Sequence, residues 1–213
     1  EDNSPGDVAA PSSPVKAENA EAGAPQSKAD ELPAQAAAAD PVTALKKLGA
    51  DIERNEQGEV VEVDLRGTQI TDAGLVHLKV LTNLQTLDLY KTEVTDAGLV
   101  HLKGLHLTWL EIPKQAKTDL GLKHYLAASE ARTALDLRFW KVTDAGLVHL
   151  KALTNLQKLI IGGSITDAGL LHLKGLTNLQ KLIGRSKGDT HRITDVGLEH
   201  LEGLAKLQEL SLR

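Results

Sequence analysis

Leucines recur along this chain in two alternating rhythms. In the stretch 81–104, LTNLQTLDLYKTEVTDAGLVHLKG, Leu87 and Leu89 alternate with polar residues. That is the period of a half-buried strand. Leu99, Leu102 and Leu105 then fall at every third position, which predicts a helical segment with one buried stripe. Between the two rhythms stands T-D-A-G-L. The nonapeptide TDAGLVHLK occurs unchanged at 71–79, 95–103 and 143–151, with relaxed copies beginning at Thr118, Thr166 and Thr194. Its Thr-Asp pair predicts a helix N-cap, with either residue able to serve. The motif glycines stand at 74, 98, 121, 146, 169 and 197, a period near 24 residues.

One supersecondary unit stamped out at this period is a repeat array. The unit carries L-x-x-L-x-L-x-x-T through Leu84, Leu87, Leu89 and Thr92, with Thr where Asn or Cys is usual. On these residues and the T-D-x-G-L start, residues 60–213 resemble bacterial leucine-rich-repeat proteins of the ribonuclease-inhibitor-like class, similar to GALA-type and F-box-adaptor repeats. The resemblance implies an α/β solenoid, a right-handed horseshoe arc with parallel strands on the concave face and helices on the convex face. Spacing predicts the same bend, since strands stack about 4.8 Å apart and helices about 8–10 Å. Such arrays serve many partners, so the resemblance speaks for fold more than for function.

Three regions follow. Residues 1–40 hold five of the seven prolines, twelve alanines, no aromatic residue and a net charge of −6, the composition of a disordered linker or stalk. Residues 41–59 predict a cap for the array. There Asp40-Pro41 starts a short helix, Gly49 stops it, and a hairpin turns at 55–58. Residues 60–213 make six to seven repeats. Two units depart from the pattern. Pro113 and Gln115 interrupt the third, and Ser129 and Arg132 stand where leucines belong in the fourth. Residues 186–192 lengthen the last complete turn, and the chain stops inside a strand, which reads as truncation or as an end open to end-to-end association of a monomer.

The strand positions between inward leucines form three columns on the concave face. One runs Glu62, Thr86, Trp109, Ala134, Lys158, Lys181, Glu209. The next runs Asp64, Asp88, Glu111, Asp136, Ile160, Ile183, Ser211. The third runs Arg66, Tyr90, Pro113, Arg138, Gly162, Arg185, Arg213. Four carboxylates stacked at strand spacing repel and call for compensation by the neighbouring arginines, a cation or a basic partner. Tyr, Trp and Arg dominate binding hot spots. The predicted partner-binding residues are therefore Asp64, Arg66, Asp88, Tyr90, Trp109, Glu111, Asp136, Arg138, Lys158, Ile160, Ile183 and Arg185. Phe139 and Trp140 are expected instead to plug the irregular fourth repeat.

Composition narrows the function. The chain lacks cysteine, which excludes disulfides, thiolate metal sites and a cysteine nucleophile. Residues 41–213 carry a net charge of +1, so nucleic acid is not an expected partner. No run is long and apolar enough for membrane insertion. Six histidines (His77, His101, His124, His149, His172, His200) recur three residues after the motif glycine. They lie too far apart, one per helix, to share a zinc ion whose ligand nitrogens sit about 2.0–2.1 Å from it, and read as helix-surface residues. No phosphate-binding glycine loop, H-E-x-x-H or G-x-S-x-G is present. No cofactor is expected. The reading is a non-enzymatic module binding a protein or peptide partner. A cell-surface spacer, or the recognition part of a larger multidomain enzyme, is the alternative. The acidic Ala/Pro stretch without an initiator Met reads as an exported protein after signal cleavage, although a linker in a cytoplasmic chain would share that composition.

Overall fold

The computed structural model describes residues 40–162, 164–184 and 193–212. The stalk at 1–39, the insertion at 186–192, Arg185 and Arg213 lie outside the described residues.

The first helix, α1 (Pro41–Lys47), begins where the Asp40 carboxylate accepts the Thr43 N–H at 2.9 Å, and Pro41 stands at its start. Gly49, at φ +92°, takes the left-handed conformation that ends it. Strands β1 (Asp51–Arg54) and β2 (Val60–Asp64) form an antiparallel hairpin, and β2 pairs in parallel with β3 (Thr86–Asp88), which pairs with β4 (Trp109–Glu111). A second sheet follows in parallel order: β5 (Ala134–Asp136), β6 (Lys158–Ile161), β7 (Lys181–Gly184) and β8 (Glu209–Leu212).

The segments that return the chain from one strand to the next differ from simple α-helices. Asp72–Val80 and Gly98–Leu102 are 3-10 helices. The short α3 (Asp144–Leu147) and α4 (Asp167–Leu170) pass directly into 3-10 turns. The spacing of the leucines is compatible with this. A stripe repeating every third residue matches the 3.0 residues per turn of the 3-10 helix better than 3.6. Leucine amides bond the leucine carbonyl three residues earlier: Leu81 to Leu78 and Leu84 to Leu81, both at 3.0 Å, then Leu153 to Leu150 and Leu156 to Leu153, both at 2.9 Å. These leucines are buried or half-buried and carry one core from coil to coil.

The T-D-x-G motif is the joint between coils. Thr takes the extended N-cap position, near φ −114° and ψ 180° at Thr71 and Thr194, and Asp opens the helical segment. The Asp carboxylate does not cap its own helix. It reaches the Thr of the following repeat. Asp72 accepts the Thr95 N–H and hydroxyl, both at 2.7 Å. Asp119 does the same for Thr143 at 2.8 and 2.6 Å, Asp144 for Thr166 at 2.8 and 2.6 Å, and Asp167 for Thr194 at 2.7 and 2.6 Å. The glycine makes room for this. A Cβ added at Gly98 would fall 2.1 Å from Asp72 Oδ1, so alanine there collides with the carboxylate from the coil before. The motif repeats because each copy must fit the next.

The fourth unit breaks the rhythm. Its returning segment is a ten-residue α-helix, α2 (Asp119–Ala128), and it lacks the leucine triplet. Leu84, Leu107, Leu156 and Leu179 are buried two residues before their strands, whereas Arg132 holds that place before β5. Leu107 bridges Ser129 instead. The register is lost there, and β4 and β5 do not pair.

Candidate partner-binding face

Within each sheet the concave columns align as the alternation of residues predicts. Glu62, Thr86 and Trp109 are in register, as are Asp64, Asp88 and Glu111. On the other sheet Ala134, Lys158, Lys181 and Glu209 align, and so do Asp136, Ile160, Ile183 and Ser211. The columns do not run through from one sheet to the other. Three carboxylates therefore stack, and Asp136 stands across the break from them.

Compensation of that stack is internal but partial. Arg66 Nε donates to both Asp64 oxygens, at 3.0 and 2.8 Å, and lies 3.5 Å from Asp88 Oδ2. The Arg66 bond outweighs burial and holds the Asp64 carboxyl below its ordinary value. Asp88 moves the other way. Burial raises its pKa, Asp64 and Glu111 add to the rise, and the Tyr90 N–H at 2.8 Å and Arg66 oppose it. Glu111 takes Lys117 as its partner at 2.7 Å. Across the break Asp136 is paired with Arg138 at 2.5 Å. Burial acts upward on Asp136, but the Arg138 bonds prevail and its pKa falls.

The aromatic residues divide differently from the sequence expectation. Tyr90, in the turn after β3, is 49% exposed, and Trp109, on the neighbouring β4, is 46% exposed. Lys91 Nζ lies 5.3 Å from the Tyr90 ring centroid. Phe139 is 78% exposed and plugs nothing. Its backbone follows the turn after β5, and its ring lies 5.7 Å from the Arg138 guanidinium at the surface. Trp140 is half-buried and meets Tyr125 edge-on at 5.3 Å. Of the remaining predicted residues, Arg138 and Lys158 are exposed, Ile183 is half-buried, and Ile160 is only 8% exposed.

The break between β4 and β5 opens a cleft of about 390 Å³. Glu111, Asp136, Arg138, Lys158 and Ile160 line it, and so do Lys117, Tyr125, Arg132 and Trp140, none of which the concave columns single out as binding residues. Arg132 in a leucine position was the one available signal. For Lys117 and Tyr125 no local pattern pointed to a cleft, because the break that creates it is a matter of pairing between coils.

The six motif histidines are all half-buried on the helix side. Burial lowers the His124 pKa, helped by Lys123 and His149 and opposed by Asp96. Among the described residues no three potential metal ligands converge, and no helix is long and apolar enough to cross a membrane.

Comparison with known proteins agrees with this geometry. A family model described as a leucine-rich repeat matches residues 60–79 and 80–103, two consecutive strand-and-turn units. The two matched coils are leucine-rich repeats. With parallel strands on one face and helical returns on the other, the leucine-rich-repeat array is an α/β solenoid. No curated protein matches the chain. Among solved structures, the array is similar to internalin C2 (inlC2) of Listeria monocytogenes, at 24% identity over 81% of this chain and 82% of that one, with a TM-score of 0.47. It is also similar to an internalin (inlF) of the same organism, at 22% identity and a TM-score of 0.28, covering 81% of this chain but 41% of that one.

Proposed function

We propose that this chain is a non-enzymatic module that binds a protein or peptide partner on the concave strand face. The observation that carries the reading is the exposure of Tyr90, just after β3, and of Trp109 on the adjacent strand β4, beside the carboxylate and arginine columns of the same sheet. Repeat arrays present extended concave surfaces of this kind, and exposed Tyr and Trp flanked by Arg is the composition of binding hot spots. Asp64, Arg66, Asp88 and Glu111 would supply electrostatic register, because Asp64 and Glu111 are already paired while Asp88 is only partly compensated, a pattern that rewards only a complementary partner. The second sheet would contribute Asp136, Arg138, Lys158 and Ile183, with Ile160 reachable through the cleft. The ribonuclease-inhibitor-like subclass, a bacterial source and export to the envelope or exterior belong to the same reading, on the T-D-x-G-L start and the acidic Ala/Pro composition of 1–40.

The full chain immobilised as bait tests this. Wild type is expected to retain a partner from lysate or culture medium, and the triple variant Tyr90→Ala, Trp109→Ala, Asp88→Ala to lose it. Retention undiminished in the triple variant removes the concave face from the account and leaves the spacer reading.

A further inference from the structure

Among the described residues, consecutive strands β4 and β5 each keep one edge without a ladder partner, and the break between them is bounded by the bridges Leu107–Ser129 and Thr118–Lys141. The alternation of a parallel ladder identifies the groups that face the break. Leu89 N–H donates to the Glu111 carbonyl at 2.9 Å, so Glu111 turns toward β3, and Leu110 and Ile112 turn toward the break. Leu137 N–H donates to the Ile160 carbonyl at 2.8 Å, so Leu137 turns toward β6, and Ala134 and Asp136 toward the break. Two strand edges thus flank the cleft, each offering the N–H and C=O pattern that an added strand takes up.

The charges inside the cleft are unequally satisfied. Glu111 is paired with Lys117 and Asp136 with Arg138. Arg132 is not. Its guanidinium lies 5.0 Å from the Tyr125 ring centroid, and among the described residues its one hydrogen bond is a long 3.4 Å contact to Ser129 Oγ. Its Nε is buried without a partner. Among the described residues no carboxylate lies within ion-pair distance of it. The array holds a leucine at this place in the neighbouring coils, so an arginine here forgoes core packing and leaves a buried charged donor unpaired. The second cost falls away if a carboxylate arrives from outside. The cleft volume of about 390 Å³ lies within the ligand-pocket range, and its apolar walls at Leu110, Ile112 and Trp140 suit side chains on either side of such a carboxylate.

We propose that the cleft accepts a short extended segment of a partner protein as an inserted strand, with an inward-facing Asp or Glu side chain of that segment pairing with Arg132. This deepens the protein-binding reading and rests on it. The backbone of the inserted segment completes both open edges, and its acidic side chain completes the guanidinium.

Calorimetry on the full chain with three capped seven-residue peptides tests it. The first alternates valine and threonine around a central glutamate. The second replaces the glutamate with glutamine. The third keeps the glutamate but is N-methylated at alternate backbone amides. The glutamate peptide is expected to bind at least tenfold more tightly than either of the others. Arg132→Leu carries the residue the other coils hold at this place, and Arg132→Gln keeps polarity should the leucine variant misfold. A folded variant of either kind is expected to bind the glutamate and glutamine peptides equally. Equal binding of the two by wild type, or a glutamate preference that survives loss of Arg132, overturns the acidic pairing. Equal binding of the N-methylated peptide overturns strand insertion, and binding of none overturns the whole proposal. Because Tyr90 and Trp109 lie outside the cleft, partner capture that depends on them stands or falls separately.

Discussion

Asp88 is the middle carboxylate of three in register, between Asp64 and Glu111, with its side chain only 13% exposed. Its pKa is raised in the fold by burial first and by its acidic neighbours second. A group whose folded pKa exceeds its unfolded value, about 3.9 for Asp, contributes fully below that value. The contribution is lost as pH rises through the folded pKa. Asp88→Asn, which keeps an oxygen for the Tyr90 N–H, is therefore expected to match wild type in acid and to exceed it toward neutrality. Asp64 has the opposite sign. Its lowered pKa contributes stability above the unfolded value and loses it as pH falls. Urea midpoints of wild type and Asp88→Asn from pH 3 to pH 7 check this, since a difference that does not grow with pH contradicts it. The columns that bring these carboxylates together were legible in the residue alternation. Which of them is strained was not, because that depends on Arg66 reaching Asp64 at close range and Asp88 only at 3.5 Å.

At the scale of the element, the motif glycines, the leucine stripe and a Thr-Asp helix start were all visible in the chain. Two things were hidden. A three-residue stripe reads as a helix of either kind, and only the backbone bonds show 3-10 turns. The Thr-Asp pair reads as a local cap, yet its carboxylate bonds the following coil, 22 to 27 residues on. Local pattern cannot report a bond whose partner is set by the stacking of coils. The consequence is a position-dependent mutation. Thr143→Val removes the hydroxyl that donates to Asp119 and is expected to cost about 1 kcal/mol. Thr71→Val, in the first copy, removes no hydroxyl bond to a preceding Asp and is expected to be nearly neutral. Chemical denaturation of the two variants side by side separates a joint between coils from a local helix cap, which would make the losses equal.

At the scale of the whole array, the division of the strand face into two sheets is the largest departure from a regular repeat. Leu65, Leu89 and Leu137 each donate a ladder bond to the next strand, to Asp88, Glu111 and Ile160 at 2.9, 2.9 and 2.8 Å. Ile112, at the corresponding place before the break, has no backbone acceptor among the described residues. Its amide is expected to exchange with solvent deuterium at least about tenfold faster than those three, because ladder-bonded amides exchange through larger openings. Comparable protection at all four places would mean that the sheet is continuous in solution. The irregular fourth unit was conspicuous in the sequence, with Ser129 and Arg132 in leucine places. That it opens a cleft, gathering Lys117, Tyr125 and Trp140 around Arg132, was not.

The sequence by itself determined the repeat, its period, the strand columns and the side on which leucines are buried. Each of these follows from the spacing of side chains along one coil. Tertiary structure alone decided that Asp of T-D-x-G joins coils, and that β4 and β5 part. Those depend on what a neighbouring coil presents, whether a threonine amide, a glycine without a Cβ, or an arginine in place of a leucine. The nonapeptide TDAGLVHLK is thus a stacking device, and the functional candidates lie where stacking varies or fails.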